Sequence, residues 1–101
     1  MVIYNVTLQV DNSITAQWLQ WMQQEHIPEV LHTGCFLKHQ LVKLLNTEET
    51  DTTTYAVQYY AADQTQLDNY LNVHAKGLRD KSFDRWGNHF IAFRTVMELI
   101  N

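Results

Sequence analysis

The sequence predicts an α+β fold in which one four-stranded antiparallel sheet packs against two helices. Three observations favour it: strand-like segments at both ends of the chain, two segments with helical spacing, and glycines that close both helical segments at similar distances from the preceding strand. The 101 residues are 46% hydrophobic and 18% charged, which suits a single domain over residues 1–101.

The first part of the chain predicts a strand followed by a helix. Apolar residues alternate with more polar ones over residues 2–10, the period of a strand with one buried face. The turn residues Asp11–Ser13 precede apolar positions spaced three and four apart, so a helix begins near Ser13. Because Pro28 lacks an N–H, this helix should stop or kink there, leave Glu29–Thr33 as a short second turn, and end at a left-handed Gly34.

The middle of the chain predicts a hairpin of two antiparallel strands. The segments Cys35–Leu45 and Tyr55–Ala61 are rich in β-favouring residues, and the connection over residues 46–54 is acidic and rich in hydroxyl groups. We expect this connection to be a solvated loop. Its carboxylates form at most a weak chelating group: Glu48, Glu49 and Asp51.

The second part repeats the pattern of a helix followed by a strand. Asp63 with Gln66 resembles a capping box, and an apolar stripe with helical spacing follows. Gly77 is a candidate break in this helix, and Gly87 ends it. His89–Leu99 is then the last strand. Both of its faces are apolar, with Phe90, Ala92 and Val96 on one and Ile91, Phe93 and Met97 on the other.

Two βαβ units in series predict a ferredoxin-like βαββαβ sandwich. In this fold the two helices cover only one face of the sheet, yet the last strand is apolar on both faces. We therefore expect a second copy of the chain to cover the open face, which gives a homodimer with two sheets packed together, a dimeric α/β barrel.

Charge and composition limit the class of function. A net charge of −4 provides no general attraction to phosphate, so nucleic acid is not expected as a partner. Cys35 is the only cysteine, which excludes an internal disulfide and suits a reducing compartment. No leader-like or membrane-spanning stretch stands out, so we expect a cytoplasmic protein with no membrane partner.

Five segments together resemble one protein family: YNVT (4–7), WLQWMQQEHIPEVL (18–31), TGCF (33–36), TYAVQYY (54–60) and FIAFRT (90–95). With them the chain resembles the bacterial domain-of-unknown-function family numbered 4286 over nearly its whole length. The resemblance implies a dimeric α/β barrel of the ferredoxin-like group, which also contains cofactor-independent monooxygenases and haem-degrading enzymes. It implies no particular activity.

The residue pattern of the haem-degrading enzymes in this group can be compared with the sequence. These enzymes carry an Asn on the first strand and a Trp and a His ten residues apart on the second helix. This sequence has Asn5 and Tyr70, but Asp80 stands where the His is required. The set is incomplete, and we predict no cofactor.

The helix around Pro28 carries four weak candidates for metal ligands: Glu25, His26, Glu29 and His32. Imidazole and carboxylate groups bind first-row metals. On an ideal helix, however, each step of three residues falls short of a full turn, so the side chains of His26 and His32 point about 120° apart. A metal site therefore needs a distortion at the proline. We favour the alternative, in which His26 interacts with the end of one helix and Glu29 lies in the first turn of the next.

Histidine and aromatic side chains are the candidates for a ligand site. His26 and His74 are candidate catalytic acid/base groups, because imidazole titrates near neutral pH. Side chains with apolar bodies and polar tips suit a pocket for a flat ligand, although core packing explains them as well: Tyr4, Trp18, Trp21, Tyr59 and Tyr70. Arg94 lies in an apolar strand, so it must pair with a carboxylate or reach water, and we favour a salt bridge at the dimer contact, with Glu98 or Asp63, over an anionic ligand.

These observations predict a homodimeric α/β-barrel protein that binds a small apolar or aromatic ligand between sheet and helices. One alternative is a cofactor-independent monooxygenase-like enzyme with a histidine acid/base group, and another is a purely structural dimerisation module. A cavity beside His26 or His74 favours binding or catalysis, whereas a filled interior favours the structural module.

Overall fold

The computed structural model describes residues 1–48 and 50–101. Four strands form one sheet: β1 Val2–Asp11, β2 Lys38–Lys43, β3 Thr52–Ala61 and β4 Phe90–Glu98. Neighbouring strands are antiparallel and lie in the order β2-β3-β1-β4. The predicted ferredoxin-like α+β fold is confirmed.

Two helical segments connect the strands and pack on one face of the sheet. The first consists of α1 Thr15–Trp21, a π-helical turn Met22–His26 and α2 Ile27–His32. The second consists of α3 Gln64–Asn69, a π-helical turn Tyr70–His74 and α4 Ala75–Trp86. Each predicted acid/base histidine is thus the last residue of a π-helical turn. Such turns are rare and frequently lie at functional sites.

The alternation of β1 decides which side chains meet the helices. Tyr4, Val6, Leu8 and Val10 face the helices, and the alternate residues Asn5, Thr7 and Gln9 lie on the opposite, open face. Val6 lies between Val57 of β3 and Arg94 of β4 in the register of the sheet. Arg94 therefore lies on the covered face, with the helices.

The helix ends follow local sequence signals. Gly34 and Gly87 have φ angles of +79° and +59°, which only glycine adopts without strain, so both predicted helix ends are confirmed. Asp63 caps α3, because its Oδ1 accepts a hydrogen bond from the backbone N–H of Gln66 at 3.0 Å.

Two helix predictions were wrong. The first helix begins at Thr15 rather than near Ser13 and has no side-chain cap, because the Asn12 side chain instead bonds the Thr50 carbonyl and the Thr53 hydroxyl. Gly77 does not break the second helix, since α4 runs through it with no positive φ. A single glycine lowers helix stability by only about 1 kcal/mol, which tertiary packing outweighs.

Pro28 marks a change of helix geometry rather than an end. The helix continues as α2, with the proline in its first turn. Just before it, the N–H of Ile27 bonds the carbonyl of Met22, which is the five-residue spacing of the π-helical turn. The predicted short second turn over Glu29–Thr33 corresponds to most of α2.

The first strand of the hairpin is shorter than predicted. Cys35 and Phe36 precede β2 and are buried, because Phe36 packs among tyrosines of the core. The N–H groups of Leu37 and Leu44 extend the pairing with β3 by one bond at each end. In the connection, the predicted chelating residue Glu49 lies outside the described residues.

The open face of the sheet is apolar at one edge. Ile91 and Phe93 of β4 are 55% and 59% exposed there, and the sequence predicted that they share one face of the strand. Towards the other edge the face carries polar and small residues, such as Thr7 and Ala56, and Lys38 of β2 lies over the ring of Tyr60. No helix within residues 1–48 and 50–101 is both long and apolar enough to cross a membrane.

Candidate functional site

A cavity of about 60 Å³ lies between the sheet and the helical segments. Seven of the eight predicted acid/base and ligand-binding residues line it, all except His74: Tyr4, Trp18, Trp21, His26, Tyr59, Tyr70 and Arg94. The enclosed space holds about two water molecules. Only Arg79 and Arg94 of its lining are exposed, so they mark the side that opens to solvent.

A cluster of aromatic rings forms the inner part of the lining. The ring of Tyr4 lies 5.8 Å from that of Tyr70, 6.4 Å from that of Tyr59 and 6.3 Å from that of Phe36, centroid to centroid. Burial raises the pKa of Tyr59 and of Tyr70 well above the usual range of a phenol. Both side chains therefore stay protonated at neutral pH and can donate a hydrogen bond.

His26 is neutral in this environment. Burial lowers the pKa of its imidazole from 6.5 to about 4, against the opposing effect of Glu29, and Arg94 and Lys81 lower it further. The ring stacks on Trp21 with 5.0 Å between centroids.

Ser82 is the hydrogen-bond partner of His26. The Ser82 oxygen lies 3.2 Å from the carbonyl oxygen of Leu78 and 3.4 Å from Nδ1 of His26, and in the tautomer that matches donation to Leu78, Nδ1 of His26 carries the hydrogen. The lone pair of the ring then resides on Nε2, for which the described residues provide no hydrogen-bond partner. In that tautomer Nε2 can accept a hydrogen bond from a ligand at neutral pH.

The tryptophans have different surroundings. Trp18 is 1% exposed and packs on Tyr55 at 5.2 Å, while Trp21 meets Trp86 edge to face at 5.9 Å. Trp86 is also buried, does not line the cavity, and its indole Nε1 has no partner among the described residues.

His74 lies away from the cavity. Its ring is 6.3 Å from that of Tyr70, and it lines an outer groove between the two helical segments. The sequence placed it with His26 because both are helical histidines. The structure separates them, since the first segment turns His26 towards the sheet and the second leaves His74 on the outer side.

The four candidate metal ligands do not come together. Glu25, Glu29 and His32 line the outer groove, whereas His26 lines the inner cavity. Glu29 forms a salt bridge with Lys81 at 2.9 Å. No group of three or more His, Cys, Asp or Glu side chains within the described part of the chain is placed to hold a metal ion. The π-helical turn before Pro28 did not supply the distortion that a metal site requires.

The incomplete haem-like set is also dispersed. Asn5 lies on the open face and donates to the Thr7 hydroxyl at 3.1 Å, whereas Tyr70 is buried on the covered face. Asp80 forms a salt bridge with Lys76 on the helix surface.

Two polar residues of the cavity were not predicted, Arg79 and Ser82. Arg79 donates from Nη2 to the Tyr4 hydroxyl at 3.1 Å. Both belong to the run KGLRDKSFDR (76–85), in which charges of both signs alternate as they do on a solvated helix face. Helical spacing could have identified Ser82, because Ala75, Leu78, Ser82 and Trp86 follow one another at intervals of three and four residues along the inner side of α4.

The family is shown by sequence. A family model described as a domain of unknown function (DUF4286) matches residues 1–100. The chain belongs to this family. No curated protein matches the DUF4286 chain in sequence.

Solved structures with little sequence similarity share the fold. A dimeric ferredoxin-like protein from an uncultured marine organism matches with a TM-score of 0.72 at 8% identity, over 99% of this chain and 96% of that one. An ethyl tert-butyl ether D (EthD) family protein from Bacillus halodurans matches with 0.69 at 10% identity, over 99% and 100%. SnoaB from Streptomyces nogalater, a cofactor-independent oxygenase in a mutant form, matches with 0.67 at 11% identity, over 99% and 93%.

The lowered pKa of His26 predicts a pH dependence of stability. The unfolded chain binds a proton at this residue below about pH 6.5, whereas the folded chain does so only below about pH 4. The contribution is therefore fully present above pH 6.5 and is lost as the pH falls towards 4, by about 3 kcal/mol in the free energy of unfolding.

Urea unfolding at about pH 7.5 and about pH 4.5 measures this contribution. The His26→Gln variant should lose about 2 kcal/mol less stability between the two pH values than the natural chain. His39→Gln, which removes an exposed histidine of β2, is the control. Equal losses in the natural chain and in His26→Gln would show that His26 titrates normally.

Proposed function

We propose that this DUF4286 protein is a homodimer whose protomers each bind a small aromatic ligand between sheet and helices. In this proposal residues 1–101 act as one domain in a reducing compartment such as the cytoplasm. The observation that carries it is the cavity of about 60 Å³ beside His26, lined by the rings of Tyr4, Tyr59 and Tyr70.

The lining suits an aromatic compound with a polar substituent. The enclosed space is too small for a ring, so the polar group enters it while the ring rests towards the mouth, where the exposed Arg79 and Arg94 side chains can move aside. Inside, the phenols of Tyr59 and Tyr70 supply donors and His26 Nε2 supplies an acceptor. These groups favour an aromatic hydroxyl over a purely apolar ligand.

The dimer rests on the open face of the sheet. Ile91 and Phe93 expose more than half of their side-chain surface at its edge, which costs free energy in water. We propose that a second copy of the chain covers this face, because a two-fold axis brings the same apolar edge of the two protomers together. The fold shared with a dimeric ferredoxin-like protein supports this assembly.

A second candidate function is oxygenation without a cofactor. The position of His26 beside the cavity favours it, because Nε2 can take a proton from an acidic C–H of an aromatic ketone when the negative charge of the forming carbanion offsets the lowered pKa of the imidazole. The resulting carbanion is electron-rich enough to reduce O₂. The balanced reaction converts a methylene and O₂ into a carbonyl and water. The fold shared with a cofactor-independent oxygenase supports this candidate.

Binding of a neutral aromatic hydroxyl compound tests the first proposal. Titration with 2-naphthol at neutral pH should shift the amide resonances of cavity residues such as Tyr4 and Ser82 in a saturable way. Val6→Phe should abolish the shifts, because an added ring occupies the cavity. Val73→Phe adds the same ring in the outer groove and should leave them unchanged. Saturable shifts confined to the outer groove, or none at millimolar 2-naphthol, contradict the proposal.

Sedimentation tests the dimer. The natural chain should sediment as a dimer at about 50 µM, and Phe93→Glu should sediment as a monomer, because it places a charge in the apolar contact. Phe83→Glu is the matched control, since Phe83 is 63% exposed on α4, on the helical side of the molecule. A monomeric natural chain would exclude the dimer, and dissociation by Phe83→Glu alone would move the contact to the helices.

Oxygen consumption tests the second candidate. With anthrone as substrate, the protein should consume O₂ faster than buffer alone, and His26→Gln should lower the rate about 100-fold or more. His74→Gln is the control, because His74 is also a helical histidine but lies outside the cavity. A rate equal to that of buffer, or an equal loss in both variants, rules out His26 as the base.

A further inference from the structure

Two guanidinium groups reach the cavity from opposite layers of the fold. Arg79 belongs to α4 and donates to the Tyr4 hydroxyl at 3.1 Å. Arg94 belongs to β4, on the covered face of the sheet, and lies close enough to lower the pKa of both His26 and Tyr70. Both side chains remain partly in water, which allows them to keep their charge without a partner.

No carboxylate balances this pair among the described residues. Neither arginine forms a salt bridge there, including the Glu98 or Asp63 contacts that the sequence suggested for Arg94. Two lysines of α4 are paired with carboxylates, since Lys76 bonds Asp80 and Lys81 bonds Glu29, each at 2.9 Å. In a chain with a net charge of −4, the cavity lining contains two arginines and no Asp or Glu.

The remaining titratable groups that face the cavity do not offset this charge. Burial keeps Tyr59 and Tyr70 protonated and His26 neutral. Glu29 acts on His26 from the outer groove, but its carboxylate is already paired with Lys81. The mouth of the cavity is thus positive, and its interior offers neutral hydrogen-bonding groups.

We propose that the cavity selects the anionic form of its aromatic ligand, with a carboxylate or oxyanion held between Arg79 and Arg94. This inference rests on the proposed function and specifies the class of ligand. Guanidinium groups bind carboxylates through two parallel, charge-assisted hydrogen bonds, which are stronger than neutral ones. Partial exclusion of water by the surrounding rings strengthens the attraction further. The ring of the ligand stays at the solvent side of the cavity, because the enclosed space of about 60 Å³ is too small for it.

A matched pair of probes tests the proposal on the full chain. 2-Naphthoate is ionised at neutral pH, and 2-naphthamide has nearly the same shape without the charge. Titration calorimetry or amide shifts should show that naphthoate binds about tenfold more tightly or better. Arg79→Gln and Arg94→Gln should each lower the naphthoate affinity about tenfold and the naphthamide affinity by a smaller factor, because a guanidinium binds a neutral carbonyl more weakly than a carboxylate.

Lys76→Gln is the control for overall charge. It removes one positive charge from the same helix as Arg79 but at an exposed position outside the cavity. An equal affinity for the two probes, or an equal effect of Lys76→Gln, overturns the anion preference. If Arg94→Gln sediments as a monomer and binds naphthoate as the natural chain does, Arg94 belongs to the dimer contact and the proposal is wrong. If 2-naphthol, naphthoate and naphthamide all fail to bind, the proposed function itself fails.

Discussion

A sheet has two faces, and two helical segments of this length cover only one of them. The alternation of β1 defines these faces, since Tyr4, Val6, Leu8 and Val10 face the helices while Asn5, Thr7 and Gln9 point away. All the described features of the candidate site lie on the covered face. The surface proposed for dimerisation is the other face, where Ile91 and Phe93 of β4 remain exposed.

Burial determines the chemistry of the covered face. Desolvation disfavours charge on any group enclosed there, so the tyrosines remain phenols and His26 remains an uncharged imidazole. Arg79 and Arg94 keep their charge because they lie at the solvent side of the cavity. The result is a neutral, hydrogen-bonding interior behind a cationic entrance. That combination distinguishes the cavity from an ordinary packing gap, whose lining is apolar throughout.

Local signals in the sequence predicted much of the fold because they act within a few residues. Alternation identified β1, and the positive φ angles of Gly34 and Gly87 follow from glycine alone. The change of geometry near Pro28 follows from its missing N–H. The second π-helical turn, Tyr70–His74, has no proline and no comparable signal, so its effect on His74 was not predictable.

The candidate site was predictable only in part because it depends on contacts between elements. Aromatic residues on the covered face were identified as a group, since their size places them in any small core. Arg79 and Ser82 were missed because their neighbours in sequence are charged and exposed, although their own side chains turn inwards. The partners that decide their roles, Tyr4 and His26, are 75 and 56 residues away in the chain. Spacing within one helix does not encode such contacts.

The two faces are linked through β4. Phe93 points to the open face and Arg94, the next residue, points to the cavity. As an edge strand, β4 is paired on one side only, with β1, so its side chains are less restrained than those of the central strands. A second copy packed on Phe93 would restrain β4 and with it the position of Arg94. In the proposed assembly, dimerisation therefore does more than bury apolar surface, because it lowers the conformational entropy that Arg94 loses when it holds an anion.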